Sequence, residues 1–329
     1  MLRKTYQELY QEFERVLLNL DFSKDKAKAC ATIFTNNSRD GVYSHGLNRF
    51  PVFIDYINKG WIDKSAEPKL IKTFGAIEQW DGQFGPGMLN AQFCMQRAID
   101  LAKEKGMACV ALKNTNHWMR GGTYGWQAAE AGCIAINFTN TIAIMPPWGA
   151  KEAAIGNNPL IISVPHKDGS IVLDMAMSQF SYGKMQEHQL KGNDLPFYGG
   201  YDEEGKLTKN PKTIYETQRP LPAGMWKGSG LALMLDLLAT LLSDGNSTAT
   251  ITKSGQERGI SQIFICFDAA INTQHESIIQ EILTYTQEVE KISEEAIHYP
   301  GERTLKVRKE NIEKGIPVDE AMWQKLLSL

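Results

Sequence analysis

The sequence predicts an α/β protein in which a discontinuous helical domain flanks an α/β domain. Apolar residues recur at helical spacing through about the first 70 residues and again after Gln274. Between these regions, apolar strand-like runs alternate with helical segments. Because the C-terminal helices would pack against the N-terminal ones, we place the helical domain at residues 1–72 and 280–329 and the α/β domain at residues 73–279.

Two amphipathic helices are predicted at the N-terminus. Between Tyr6 and Leu20, the apolar side chains are spaced so that they fall on one face of a helix. Ser23 is a suitable N-cap for a second helix that runs through Phe34. Both helices therefore carry an apolar face that can join a common core.

The middle of the chain contains the predicted strands. They are short apolar runs with polar or glycine-containing segments between them: MACVALK (107–113), CIAINFTN (133–140), LIISVP (160–165), SIVLDMAM (170–177) and SQIFICFDA (261–269). The helices predicted around and after them are TYGWQAAEAG (123–132), GSGLALMLDLLATLL (228–242), HESIIQEILTYTQEVEK (275–291) and MWQKLLSL (322–329). The polar segment GGYDEEGKLTKNPKT (199–213) is predicted as a long loop.

Composition excludes several classes of protein. The 329 residues are 43% hydrophobic and carry a net charge of −3, which favours a sizeable core and gives no basic stripe for nucleic acid. No run approaches the roughly 20 apolar residues that span a bilayer, so we expect a cytoplasmic protein without a membrane partner. The five cysteines are scattered, and neither CxxC nor HExxH occurs, so we expect reduced buried thiols and no metal site.

The segment VYSHGLNRF (42–50) places a histidine and an arginine at a predicted helix start. Ser44 is a suitable N-cap, and the helix is predicted to begin near His45. Arg49 then lies on the same face as His45, beside unpaired backbone N–H groups, which suits an anion such as a substrate carboxylate. The alternative is that His45 makes a local hydrogen bond while Arg49 pairs with a surface acid.

A second segment, NTNHWMRGGTYGWQ (114–127), follows a predicted strand and precedes a helix. Asn116, His117 and Arg120 therefore lie at the carboxyl end of a strand, where α/β sheets usually bind ligands. The alternative is that His117 is an ordinary loop histidine. Two loops that each contain a histidine and an arginine favour a functional site.

A third group of residues is suited to hold a cofactor. Asp174 lies inside an apolar strand, where a carboxylate needs a histidine, an arginine or a ligand hydroxyl as its partner. Trp226 and Lys227 precede the glycine-rich start of a long apolar helix, which suits an anion; the alternative is a helix start with a solvated lysine. No GxGxxG follows a strand, and neither GxxxxGK[ST] nor GxSxG occurs, so the usual nucleotide and hydrolase fingerprints are absent.

Several of these segments resemble the malate/L-lactate dehydrogenase family of the non-Rossmann type. They are VYSHGLNRF, GAIEQWDG, NHWMRGGTYGWQAAE, MPPWGAKEAAIGNNPLI, LDMAMSQFSYG, WKGSGLALMLDLLATLLSDG and SQIFI, and together they extend over most of the chain. The resemblance implies an NAD-binding domain built on a mixed sheet beside a helical domain, which accounts for the missing GxGxxG. It also implies a cytoplasmic homodimer.

The activity implied by the resemblance is the reduction of a keto sugar acid. The expected reaction converts 2,3-diketo-L-gulonate to 3-dehydro-L-gulonate, with NADH as the preferred cofactor and NADPH as the alternative. A dehydrogenase of another 2-hydroxy acid, such as malate, lactate or ureidoglycolate, is the second candidate. A non-catalytic sugar-acid binding protein is the third, and the retained cofactor segments argue against it, because a binder needs no nicotinamide site.

The resemblance also assigns roles to individual positions. His45 corresponds to the proton donor, whereas His117 lies near the substrate and is the acid/base in some relatives. The positions implied to bind the cofactor are Thr141, Ser170, Ile171, Val172, Leu173, Asp174, Met175, Ala176, Trp226, Lys227, Gly301, Glu302 and Arg303. Glu302 departs from the pattern, since a histidine is expected at that position.

The reduction of a 2-keto acid requires roles that these residues can fill. The reaction needs a proton for the developing alkoxide and a cation that holds the carboxylate. Arg49 suits the carboxylate, and Asp174 is expected to hold the imidazole of His45. Further substrate contacts are expected from Ser44, Asn116 and His117. If His117 is the acid instead, His45 becomes a ligand of the carboxylate or carbonyl.

Overall fold

The computed structural model describes residues 2–290 and 297–329. The strands, in chain order, are β1 (Leu2–Lys4), β2 (Lys69–Phe74), β3 (Ile77–Asp81), β4 (Met107–Thr115), β5 (Cys133–Thr139), β6 (Leu160–Val164), β7 (Ile171–Met175), β8 (Gly200–Tyr201), β9 (Leu207–Thr208), β10 (Ile260–Asp268) and β11 (Ile316–Val318). The α-helices are α1 (Tyr6–Asn19), α2 (Lys24–Arg39), α3 (Phe50–Asn58), α4 (Gly87–Lys105), α5 (Gly122–Glu130), α6 (Tyr182–Leu190), α7 (Pro211–Thr217), α8 (Trp226–Ser243), α9 (Thr248–Ser254), α10 (His275–Gln287), α11 (Glu302–Lys314) and α12 (Glu320–Ser328).

A seven-stranded sheet in the order β2-β3-β4-β10-β5-β6-β7 forms the centre of the protein. The β3–β4 pair is parallel and the other neighbouring pairs are antiparallel, so the sheet is mixed, as predicted. Strand β10 lies between β4 and β5, in agreement with its long apolar sequence. Strand β7 is at one edge of the sheet.

Helices cover both faces of this sheet. On one face, Cys94 and Ala98 of α4 and Tyr124 of α5 pack into a core with the side chains of the central strands. On the other face, α8 contributes Ala232 and Leu235 to a second core. Burial of such apolar side chains supplies most of the stabilisation, at about 1.5–3 kcal/mol for each large one.

The N-terminal helices form a separate core rich in aromatic residues. The rings of Phe13, Phe34 and Phe50 lie 4.6 to 5.6 Å apart between centroids. Trp323 and Leu326 of α12 pack into the same core, and β1 pairs antiparallel with β11. These contacts hold the two ends of the chain together, and the division into a helical domain at residues 1–72 and 280–329 and an α/β domain stays a prediction.

The third helix begins later than predicted. Two short 3-10 turns, Tyr43–His45 and Leu47–Arg49, precede α3, which begins at Phe50 with Pro51 in its first turn. Gly46 lies between the two turns. Its backbone packs against Ser38 so closely that there is no room for a Cβ atom, so this position needs glycine. The predictions that Ser44 caps this helix and that His45 lies in its first turn are therefore wrong.

Other elements were absent from the prediction or differ from it. The hairpin β2–β3 and helix α4 were not predicted. The predicted loop at 199–213 contains the hairpin β8–β9 and the start of α7. The helix predicted at 275–291 ends at Gln287, and its last residue lies outside the described residues.

Helix α8 is apolar on both of its faces. Its inner face packs on the sheet, whereas large apolar side chains of its outer face are 41 to 74% exposed; these are Leu233, Met234, Leu237, Leu238 and Leu241. Within residues 2–290 and 297–329, no single helix is long and apolar enough to cross a bilayer, although α8 and α9 meet the length and composition criteria as a pair bent by 87°. An exposed apolar face is unusual for a helix at a protein surface.

Candidate functional site

Two histidines that are far apart in the sequence lie side by side. His45 ends the first 3-10 turn before α3, and His117 lies in the loop that follows β4. Their rings are stacked, with centroids 5.7 Å apart and an angle of 16° between the planes. The structure thus brings together the two histidines that the sequence analysis singled out.

The protonation of His117 is restricted by its hydrogen bond. The backbone N–H of Met119 donates to Nδ1 of His117 over 3.0 Å, so the proton of the neutral ring is on Nε2. Burial, followed by the charges of Arg49 and His45, lowers the pKa of His117 well below its usual value. His117 is therefore a neutral ring that offers one N–H donor, at Nε2.

The hydrogen-bond partner of His45 tolerates either protonation state of its ring. Its Nδ1 lies 3.0 Å from the hydroxyl of Ser44, which can either donate to this nitrogen or accept from it. Burial, followed by the charges of Arg49 and Arg120, lowers the pKa of His45 to about 4. A carboxylate bound beside Arg49 would offset part of this effect and raise the pKa again.

Arg49 is paired with an acid that the sequence analysis did not single out. Its Nη2 lies 3.3 Å from Oε2 of Glu257, which is in the loop between α9 and β10. Only 16% of the Glu257 side chain is exposed, so this is not the surface acid of the alternative prediction. Burial raises the pKa of Glu257 against the opposing effect of Arg49. The binding of a substrate carboxylate by Arg49 stays a prediction.

Asp174 is turned towards the start of α5. Its Oδ2 accepts a hydrogen bond of 2.9 Å from the backbone N–H of Gly122 and lies 3.6 Å from Nε of Arg120. Among the described residues, no hydrogen bond or ion pair joins Asp174 to His45, so the prediction that Asp174 holds this imidazole is wrong. The predicted arginine partner for a carboxylate in this strand is present as Arg120. A catalytic role for Asp174 stays a prediction.

Asp40, at the end of α2, anchors the loop that contains His117. Its Oδ1 accepts from Nε of Arg39 and Nε of Arg308, while its Oδ2 accepts from Nη1 of Arg120 and Nη2 of Arg308, all at 2.7 to 2.8 Å. Burial alone would raise the pKa of Asp40, but Arg308, Arg39 and Arg120 outweigh it and hold the pKa below its usual value. The carboxylate thus joins α2, the histidine loop and α11.

The side chain of Asn116 is buried, and its amide nitrogen is used within the protein. Nδ2 donates to the carbonyl oxygens of Phe84 and Gly85 over 2.8 and 3.0 Å. Its Oδ1 makes no hydrogen bond with any residue that the structure describes. A substrate contact by Asn116 stays a prediction, and it would have to use Oδ1.

Three of the predicted cofactor segments lie along the edge strand β7. At one end, the N–H of Val172 donates to the carbonyl of Pro300 over 3.0 Å, which places Gly301 against the strand. A Cβ on Gly301 would come within 3.0 Å of the Val172 nitrogen, so this turn needs glycine. At the other end, the N–H of Ala223 donates to the carbonyl of Met177 over 2.7 Å and brings the start of α8 alongside. The structure thus brings the three predicted cofactor segments next to one another along β7.

The remaining cofactor candidates lie close to this edge. Trp226 is the first residue of α8, not a residue before it, and its side chain is 66% exposed. The backbone N–H of Thr141 donates to Oδ1 of Asn158, and the preceding Asn157 accepts through its carbonyl from the N–H of Met177. The assignment of these residues to a cofactor stays a prediction.

Comparison with known proteins decides the family. The family model for malate/L-lactate dehydrogenase matches residues 5–327. The chain belongs to the malate/L-lactate dehydrogenase family. It is 47% identical over 333 residues to the 2,3-diketo-L-gulonate reductase of Citrobacter koseri and 48% identical over 333 residues to that of Escherichia coli O6:K15:H31, and in both comparisons 100% of each chain is covered.

Solved structures agree with this assignment. A putative malate/lactate dehydrogenase from E. coli superposes with a TM-score of 0.92 at 26% identity, covering 100% of this chain and 94% of that chain. The predicted family and the predicted mixed-sheet α/β fold are thus confirmed. The predicted enzyme class, an oxidoreductase acting on a CH–OH group, is confirmed as well.

Proposed function

We propose that this dehydrogenase reduces the 2-keto group of 2,3-diketo-L-gulonate and forms 3-dehydro-L-gulonate, with NADH as the reductant. The observation that carries the proposal is the stacked pair of His45 and His117 beside Arg49, because it combines a proton donor, a neutral hydrogen-bond donor and a carboxylate ligand. The names of the two full-length relatives at 47 and 48% identity support this choice of substrate.

Arg49 would hold the carboxylate of the substrate. Within the part of the chain that the structure describes, its guanidinium donates one hydrogen bond, from Nη2 to Glu257. A guanidinium has five N–H donors, so further donors can bind a carboxylate in the paired geometry that arginine favours. The keto group next to the carboxylate is then placed against the two histidines.

His45 would donate the proton to the oxygen at C2. In its charged form, Nδ1–H can donate to the Ser44 hydroxyl while Nε2–H is delivered to the substrate. His117 is less suited to this role, because a proton on its Nδ1 would oppose the N–H of Met119. His117 would instead donate from Nε2 to the carbonyl oxygen and orient it.

A bound NADH would supply the hydride that completes the reduction. The edge along β7 fits a dinucleotide, and we place the adenosine near Gly301 and Glu302. Glu302 is in the first turn of α11, and its Oε2 lies 2.6 Å from Nδ1 of His298. A carboxylate at an adenosine ribose accepts a hydrogen bond from the 2′-hydroxyl and repels a 2′-phosphate. Glu302 therefore favours NADH over NADPH.

We also propose that the enzyme is a homodimer formed through the outer face of α8. This face exposes Leu237, Leu238 and Leu241 by 41 to 74%, and the helix carries few charges along its length. A helix that is apolar all round is normally covered, and a second copy of the same face is self-complementary by symmetry.

A substrate panel tests the proposed reaction. Initial rates of NADH consumption are measured with 2,3-diketo-L-gulonate, oxaloacetate, pyruvate and oxalurate, the 2-keto product of ureidoglycolate oxidation. We expect the highest kcat/KM with 2,3-diketo-L-gulonate. A higher value with one of the other acids would favour a dehydrogenase of that 2-hydroxy acid. Binding of the sugar acid without any consumption of NADH would instead indicate a non-catalytic binding protein.

A further inference from the structure

Glu257 is held in a fixed position beside the guanidinium of Arg49. The loop that contains it is tied to the end of β4, because the backbone N–H of Gly259 donates to the carbonyl of Thr115 over 2.9 Å. The next residue, Arg258, stacks on the ring of Phe84 at 4.2 Å. Both contacts anchor the loop next to the segment that leads into His117.

The pair between Glu257 and Arg49 is largely removed from water. The two side chains are 16 and 27% exposed, so their charges are screened less than those of a surface pair. Among the described residues, Oε1 of Glu257 makes no hydrogen bond, whereas Oε2 contacts Arg49. Glu257 thus brings a negative charge and an available acceptor to the arginine side of the site.

The balance of charge limits which substrates this site accepts. Glu257 already pairs with Arg49, and a substrate carboxylate adds a second negative charge that shares the guanidinium. A second carboxylate on the substrate would add another negative charge in a region of low dielectric. Hydroxyl groups on the substrate would instead donate hydrogen bonds to the carboxylate of Glu257.

We propose that Glu257 is a specificity-determining residue that excludes 2-keto acids with a second carboxylate and accepts hydrogen bonds from the hydroxyl groups of a polyol chain. This inference rests on the proposed function, since it assumes that Arg49 holds the carboxylate next to the keto group. It assigns the selection between sugar acids and dicarboxylic acids to one side chain that touches the substrate.

The test compares two substrates that differ in charge but have nearly the same shape: oxaloacetate and its C4 amide, 2-oxosuccinamate. The wild type should prefer the amide in kcat/KM. Glu257→Gln should shift the ratio of the two kcat/KM values about 10- to 100-fold towards oxaloacetate, because the repulsive charge is gone. Glu257→Asp keeps the charge and should keep the wild-type preference. Glu104→Gln removes an exposed carboxylate from the end of α4 and serves as the control.

The outcomes separate a selective role from a structural one. Equal losses with both acids in Glu257→Gln, which leave the ratio unchanged, would mean that Glu257 only positions Arg49. No change in either kcat/KM would mean that Glu257 does not meet the substrate; either result overturns the proposal. Binding of both acids to the enzyme is also measured by calorimetry, which does not depend on turnover. A shifted ratio in an enzyme that fails to reduce 2,3-diketo-L-gulonate would contradict the proposed function while supporting the role of Glu257.

Discussion

Replacing His45 with asparagine should remove the pH dependence of the reduction. The acid must be protonated to work, so activity is greatest below the pKa of His45 and is lost as the pH rises. Burial, Arg49 and Arg120 lower this pKa to about 4 in the enzyme without substrate. We therefore expect kcat/KM of the wild type to fall about tenfold for each pH unit across the neutral range, with roughly one molecule in a thousand protonated near pH 7.

The loss of kcat/KM caused by His45→Asn should itself depend on pH. In His45→Asn we expect a flat profile, with a loss of about 100-fold or more near pH 5.5, the scale of a missing general acid. The wild type should lose about tenfold in kcat/KM for each pH unit, so its profile should meet that of the variant about two pH units above 5.5 for a 100-fold loss, and higher for a larger one. The kcat of the wild type should bend at a higher pH than kcat/KM does, because a bound carboxylate offsets part of the effect of Arg49.

Initial rates of NADH consumption over this pH range provide the measurement. His117→Asn is the matched control: it should keep the slope and mainly raise KM for the keto acid. Circular dichroism and NADH binding check that both variants remain folded. A wild-type profile without a slope would refute the assignment of His45 as the acid. Loss of the slope in His117→Asn alone would reverse the roles of the two histidines.

Three further substitutions test other parts of the site and its assembly. Arg49→Lys should lower kcat/KM about 10- to 100-fold for keto acids but little for diacetyl, which has no carboxylate; equal losses on both would argue against carboxylate binding. Leu241→Asp should change the mass seen by light scattering from about twice 36.8 kDa to one chain, and a wild-type monomer would remove the dimer proposal. Glu302→Gln should raise the NADPH to NADH ratio of kcat/KM about tenfold, whereas an unchanged ratio would show that Glu302 does not reach the ribose.

The sequence predicted those features that depend on local pattern. The strands around Val110 and Phe264 are continuous apolar runs because they are buried between helices on both faces, and such runs are easily read. The hairpin β2–β3 was missed because every residue of β2 is exposed, so burial imposes no alternation on its sequence. The start of α3 was misplaced because Ser44 has the right chemistry for a cap, while the close contact of Gly46 with Ser38 is a tertiary effect.

The sequence analysis identified candidate residues that belong to a motif. It missed those that reach the site only through the fold. His45 and His117 belong to motifs, and they meet in space although 72 residues separate them. Glu257 lies in a polar loop with no local signal, and its partner Arg49 is 208 positions away. The role of Asp40 has no local signal either, because two of its arginine partners lie 80 and 268 positions further along the chain.

The carboxylate of Asp40 also has a consequence for the order in which the protein is made. Arg39 leaves the ribosome beside it and Arg120 follows, but Arg308, which binds it through two nitrogens, is synthesised 268 residues after Asp40. Until then the histidine loop has no connection to α11, and β1 has no partner strand. We expect a nascent chain that lacks α11 to have no organised histidine pair, so that the site forms only when α11 folds against α2.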